Sequence, residues 1–180
     1  MNSELLRPLT NKEVDTYHRD GVLLLKNMFD EDWIKLLNKG LDINIEKPTK
    51  GSRIWYKDTS GRSMFYDHTA WQNINEYKKF IFNSPAAQIC SQLMRSITVN
   101  FFFDSVFVRS TGTKFETPWH QDEPYWSVEG YDACTIWMPL VSVKKKSSLS
   151  FVPGSHRWKT ELKQSNFGGI IHVEKKWMKK

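Results

Sequence analysis

One change of period divides this chain. Before about residue 95 the apolar residues recur at three- and four-residue intervals. From Ile97 onward they gather in short runs rich in β-branched and aromatic residues, separated by Gly, Pro and charged turns. Helices first and strands second predict an α+β chain with an antiparallel sheet or barrel.

The helical part carries its own punctuation. Thr10 and Glu13 have capping-box spacing, Val14, Tyr17 and His18 share a helix face, and Gly21 supplies the stop. Residues 22–25 read as a short buried strand. Asp30 is a second N-cap, followed by an acidic first turn and the stripe Trp33, Leu36, Leu37 and Leu41. Residues 48–70 are polar, with Gly51 and Gly61, and predict loops around short strands. Ile74, Tyr77, Phe80 and Ile81 mark a third helix. Ser84 and Pro85 open a fourth, with Ala86, Ile89, Cys90 and Leu93 on its core face. Further strands are expected at 97–103, 105–109, 133–141 and 148–152.

With 180 residues, no internal repeat and no low-complexity linker, residues 1–180 read as a single domain. Apolar residues make up 39%, which excludes a mostly disordered chain. No apolar run approaches the length of a membrane span, and the N-terminus lacks a signal-peptide pattern. Two cysteines exclude a disulfide scaffold and fit a reducing cytosol, so a cytoplasmic location is expected. The net charge of +6 is local in origin. Seven lysines lie at Lys144, Lys145, Lys146, Lys175, Lys176, Lys179 and Lys180; setting them aside leaves nineteen basic against twenty acidic residues. These clusters do not interleave with aromatics in any nucleic-acid-binding signature, so no nucleic-acid partner is expected. The 8 Trp, 6 Tyr and 11 Phe suit a β-rich core or a lined pocket.

The stretch that carries chemistry is TPWHQDEPYW, residues 117–126. On a strand, residues two apart face the same way, so His120 and Asp122 would aim an imidazole and a carboxylate at one point. A nitrogen donor beside a hard oxygen donor suits a divalent metal such as Fe(II). By itself His-x-Asp is a weak motif, equally compatible with a surface pair or a satisfied buried histidine. Gln121 would face away.

In this context the sequence resembles the phytanoyl-CoA dioxygenase-like family of Fe(II)- and 2-oxoglutarate-dependent oxygenases. RDGVLLLKNMF (19–29) resembles its helix-to-strand signature and TPWHQDEPYW its iron motif. IWMPLVSV (136–143) resembles the following barrel strand, and LSFVPGSHRW (149–158) its Pro-Gly-Ser-His turn. The resemblance implies a double-stranded β-helix, a jelly-roll or cupin-like barrel, with N-terminal flanking helices. It implies His120 and Asp122 as metal ligands and catalytic residues, with Fe(II) and 2-oxoglutarate as cofactors. Oxidative decarboxylation of 2-oxoglutarate by molecular oxygen would drive hydroxylation of a small-molecule or acyl substrate. Trp137 and Phe107 are candidates for lining the oxoglutarate pocket, or else core residues. Tyr125 and Trp126 are candidates for the substrate entrance, or else loop packing, and Trp119 reads as packing.

The family also has a distal His, followed one strand later by an Arg that pairs with the far carboxylate of 2-oxoglutarate. No segment here matches that pattern, so the barrel is expected to be incomplete at its C-terminus. The chain alone is then expected to be inactive or a part of the enzyme. The alternative is a non-catalytic jelly-roll binding protein. His156, in the Pro-Gly-Ser-His turn, reads as structural. His172 reads as a strand or tail residue, with a third-ligand role as the other possibility. Arg53 and Arg62 read as solvated charge, with an anion-binding role as the alternative. His18 and His68 read as surface or core-edge residues. Cys90 reads as a core thiol, and Cys134, without a flanking base, is not expected to be a nucleophile.

Overall fold

Thr10 opens the first helix by the capping box. In the computed structural model, which describes residues 1–113, 116–128, 130 and 132–158 in full and 160–164 and 173–177 by backbone, α1 spans Asn11–Asp20. Thr10 Oγ1 accepts from Glu13 N at 3.2 Å, and the Glu13 carboxylate accepts from Thr10 N at 2.8 Å. Arg7 donates to the same carboxylate at 2.6 and 2.8 Å. The Arg7 bond, aided by Thr10, holds the Glu13 carboxyl down at about 2, against an ordinary value of 4.5. A carboxylate depressed on folding adds stability above its unfolded pKa and loses it as pH falls through the folded one. Glu13→Gln is therefore expected to cost about 0.5–1 kcal/mol at neutral pH, because the pair is largely solvated. The difference should shrink as pH falls from 4.5 toward 2, read by urea unfolding across a pH series.

The chain leaves α1 at Gly21, with φ +75° and its N–H donating to Tyr17 O at 2.7 Å. That left-handed conformation favours glycine. Space makes a second demand, because a Cβ here would collide with the His156 ring. Gly154 N donates to Asp20 O at 2.8 Å, and His156 Nε2 donates to His18 O at 3.1 Å. The Pro-Gly-Ser-His turn thus clasps the end of α1, and two segments distant in sequence form one unit. Gly21→Ala is expected to lower stability by about 2–4 kcal/mol, through backbone strain plus displacement of His156. Urea unfolding checks it; a loss under about 0.5 kcal/mol would show that the turn yields to the added methyl without holding α1.

Asp30 caps α2, Glu31–Glu46, by accepting from Trp33 N at 3.2 Å. The predicted stripe is buried at Trp33 and Leu37 and half-buried at Leu36 and Leu41. Trp33 Nε1 donates to Asn2 O at 2.7 Å, so the indole is buried without an orphaned donor. The 48–70 stretch forms the hairpin β1 (Arg53–Lys57) and β2 (Ser63–His68), turned by Asp58, which accepts from Ser60 N, Arg62 N and Arg62 Nε. β3 (Ser105–Arg109) pairs antiparallel with β2, giving the order β1-β2-β3 with Tyr66 opposite Phe107. α3 (Asn75–Asn83) and α4 (Ala86–Met94) lie between β2 and β3, and Ser84 Oγ accepts from Ala86 N at 3.3 Å. β4 (Thr160–Gln164) and β5 (Val173–Trp177) form a separate antiparallel pair.

Two apolar clusters hold these elements. Leu9, Met28, Ile89 and Leu93 form one, with Tyr17 and Cys134 packed on it. Leu37, Ala70, Ile74 and Tyr77 form the other, covered by Val106, Met138 and Leu140. The 133–141 segment therefore spans both. Beside the second cluster lies a buried polar centre. The Asp67 carboxylate accepts from Asn44 Nδ2 at 2.7 Å, Thr49 N at 3.0 Å and Thr49 Oγ1 at 2.6 Å, joining β2 to α2 and the loop after it.

The structure agrees with an α+β chain but differs from the expected barrel. Among the described residues the sheets hold three strands and two, and no double-stranded β-helix is formed. Residues 22–25, 97–103, 133–141 and 148–152 are not strands. A strand is a property of a pair, and these segments have no ladder partner. Alternation persists in part without it: Cys134, Met138 and Leu140 turn toward the core while Thr135, Trp137 and Pro139 are exposed, but Ile136, in phase with the inward residues, is exposed too. No helix of the described residues is long and apolar enough to cross a membrane.

Candidate metal centre

The 117–126 segment follows β3 and is tied back to it. Arg109 Nη2 donates to Thr117 Oγ1 at 2.9 Å and also meets Met64 Sδ of β2 at 3.8 Å. Past Asp122 the chain makes a tight turn over Glu123–Tyr125, in which Tyr125 N donates to Asp122 O at 3.0 Å. Trp126 then meets Phe102 and Phe103 edge-on, with ring centroids 6.3 and 6.5 Å away. The segment is thus anchored at both ends, by Arg109 before it and by Trp126 after it.

Between these anchors His120 Nε2 and Asp122 Oδ1 lie 3.2 Å apart. The means differs from the strand alternation expected, because residues 117–122 form no strand and Asp122 is in helical conformation at the start of the turn. The surroundings are open: the His120 side chain is 26% exposed and Asp122 is 56% exposed. His120 Nδ1 is 2.7 Å from Pro118 O. A carbonyl can only accept, so Nδ1 carries the proton, and in the neutral ring Nε2 presents its lone pair to the carboxylate. Two lone pairs at that separation repel unless a proton or a cation lies between them. The hydrogen bond to Asp122 accordingly raises the His120 pKa, outweighing the opposing effect of burial, and the Pro118 carbonyl adds to the rise.

Among the described residues no cluster of three His, Cys, Asp or Glu that could hold a metal is formed. His172 lies outside the described residues. His156 is engaged by the α1 clasp, as its structural reading expected. Phe107 sits on β3 with its ring 5.0 Å from Tyr66 and 6.2 Å from Trp55. Trp137 lies on the extended 133–141 segment and is half exposed. Tyr125 presents its ring to His120 at 6.5 Å. Arg62 pairs with Asp58 at 2.7 Å within the hairpin turn. His68 packs against Phe103 at 4.9 Å, and His18 against Tyr17 at 5.9 Å. The bracing role of Arg109 was not anticipated; its signal was the alternation that puts it on the same side of β3 as Phe107.

A model of the phytanoyl-CoA dioxygenase (PhyH) family, whose members are Fe(II)- and 2-oxoglutarate-type oxygenases, matches residues 17–177. No curated protein and no solved structure matches the chain. The matched span takes in the C-terminal end of α1, the sheet, the His120–Asp122 pair and the Pro-Gly-Ser-His clasp. The chain belongs to the phytanoyl-CoA dioxygenase family.

Proposed function

We propose that this chain is an Fe(II)- and 2-oxoglutarate-dependent dioxygenase that hydroxylates a small-molecule or acyl substrate. His120 and Asp122 supply two of the metal's ligands. The observation that carries this reading is the 3.2 Å approach of a lone-pair nitrogen to a carboxylate oxygen in a chain of this family. That donor set suits Fe(II): one imidazole nitrogen and one hard oxygen, with one net negative charge between them. When bound, the iron and 2-oxoglutarate supply the oxidation of the substrate C–H bond by molecular oxygen.

The chain's own residues have simpler tasks. Pro118 O fixes the tautomer and the ring plane of His120 by accepting from Nδ1, which leaves Nε2 free of a proton to face a metal. Arg109 holds Thr117, and with it the approach to His120. Tyr125 stands at the edge of the His120 ring, and Trp126 anchors the turn beyond Asp122; the two are assigned to the substrate entrance. Phe107 and Trp137 are assigned to the oxoglutarate side, where flat apolar surfaces would exclude water from the cofactor.

The test is anaerobic titration of the full chain with Fe(II) and then 2-oxoglutarate. A weak visible charge-transfer band that appears only with both, and saturates, is the expected result. A correctly folded chain that takes up Fe(II) but gives no band with 2-oxoglutarate would leave the cofactor half of the proposal without support. A chain that takes up no Fe(II) would overturn it.

A further inference from the structure

The three-stranded sheet has two unlike faces. On one, Asp67 meets Asn44 of α2 and Val106 packs on the second apolar cluster. On the other, the register sets Arg53, Tyr66 and Phe107 side by side across all three strands. Trp55, at the irregularity in β1, turns its ring to the same side, 4.7 Å from Tyr66 and 6.2 Å from Phe107. The row of rings then runs on: Tyr66 stacks on His68 at 6.2 Å, His68 meets Phe103 at 4.9 Å, and Phe103 meets Trp126 at 6.5 Å. Phe107 is half exposed and His68 exposed, so this is an open aromatic surface and not a closed core. The segment that carries His120 and Asp122 is fixed to this surface beyond both ends of β3. Arg109, the last residue of β3, donates to Thr117 Oγ1 at 2.9 Å, and Phe103, just before β3, touches Trp126. None of the residues that the register puts on this face is acidic. Arg53 is exposed and has no ion-pair partner among the described residues.

We propose that this face binds a small aromatic carboxylate, and that such a compound is the substrate class of the dioxygenase proposed above, a reading on which the inference rests. The rings of Trp55, Tyr66 and Phe107 take the flat part of the ligand by stacking and edge contact, which an aromatic ring satisfies better than a saturated one. The Arg53 guanidinium, a planar fork of donors, takes the carboxylate. Arg53 lies directly across from Tyr66, so the two ends of the ligand are held about 5 Å apart, one strand spacing. That distance selects a carboxyl group carried on the ring or next to it, and not one at the end of a long chain. Phe107, assigned to the oxoglutarate side, is where the row reaches the cofactor.

Binding is measured first on the full chain without metal, by calorimetric titration with 2-naphthoate. Its saturated counterpart, decahydro-2-naphthoate, and the uncharged 2-naphthalenemethanol serve as controls. 2-Naphthoate should saturate one site, and each control should bind about tenfold more weakly. Arg53→Gln should weaken 2-naphthoate about tenfold and leave the alcohol unchanged, with Arg53→Lys between, since it keeps the charge and loses the fork. Arg53 is exposed, so both variants should fold like the parent. Trp55→Leu should weaken both aromatic probes. Equal affinity for the saturated acid would overturn the aromatic part, unchanged affinity in Arg53→Gln the carboxylate part, and no binding the whole. A second readout tests the link to the metal. Added without oxygen to the chain holding Fe(II) and 2-oxoglutarate, 2-naphthoate should shift the visible charge-transfer band. Saturable binding with an unshifted band would overturn the substrate assignment. Binding in a chain that gives no band at all would support the site and sink the dioxygenase reading; a normal band with no binding would sink this inference alone.

Discussion

His120→Ala is expected to weaken Fe(II) binding by about 100-fold or more while leaving the fold intact, the first because the imidazole is one of only two proposed protein donors. The second expectation follows from position: His120 lies on an irregular segment outside the helices and strands, with Asp122, Pro118 O and Tyr125 among its neighbours. A substitution on such a partly exposed segment should change stability by no more than about 0.5 kcal/mol. Anaerobic Fe(II) titration and urea unfolding on the same sample separate the two effects. Asp122→Ala should reproduce the loss of affinity, and the double variant should lose little more than either single one, because the pair acts as a unit. Unaltered Fe(II) affinity in both single variants would mean that the metal is held elsewhere.

Asp67→Ala should produce the largest loss of stability, about 3–5 kcal/mol. The carboxylate is fully buried and accepts from Asn44 Nδ2, Thr49 N and Thr49 Oγ1. Truncation leaves those donors facing a void, and each buried donor left unpaired costs about 1–3 kcal/mol. The effect reaches further than the site, because the same centre also receives a weak 3.5 Å bond from Tyr77 Oη to Asn44 Oδ1. Burial acts to raise the pKa of Asp67, yet the bonds from Thr49 and Asn44 outweigh it and the net shift is downward. Asp67 therefore stabilises the fold above its unfolded pKa, and that contribution is withdrawn as pH falls through the lower folded value. Urea unfolding at neutral and acidic pH checks both parts. A loss below about 1 kcal/mol at neutral pH would show that water replaces the carboxylate in this centre.

How much of this could be read in the residues depended on range. Local rules carried the helices: Thr10, Gly21, Asp30 and Ser84 act where their types and spacings placed them, because a cap or stop needs only its own few neighbours. The strand at 105–109 was legible for the same reason that 133–141 was misread. Both alternate, but β3 has β2 beside it, whereas 133–141 lies on helices without a ladder. Alternation records which side faces the core, and only a partner backbone converts that into a sheet. The approach of His120 to Asp122 was foreseen, but by a strand rule that does not apply; a turn at Asp122 brings the carboxylate round instead.

The residue order alone determined the helix boundaries, the change from helical to extended patterning near residue 97, the family, and which side chains are chemically able to bind a metal. Those properties come from spacing and side-chain type, and they hold wherever the segment lies in space. Tertiary structure decided the long-range contacts: His156 packed against Gly21, Asp67 gathering Asn44 and Thr49, and Cys134 packed on the cluster of Leu9, Met28, Ile89 and Leu93. Each joins segments whose separation carries no local signature, so their meeting follows from how the two apolar clusters close around them.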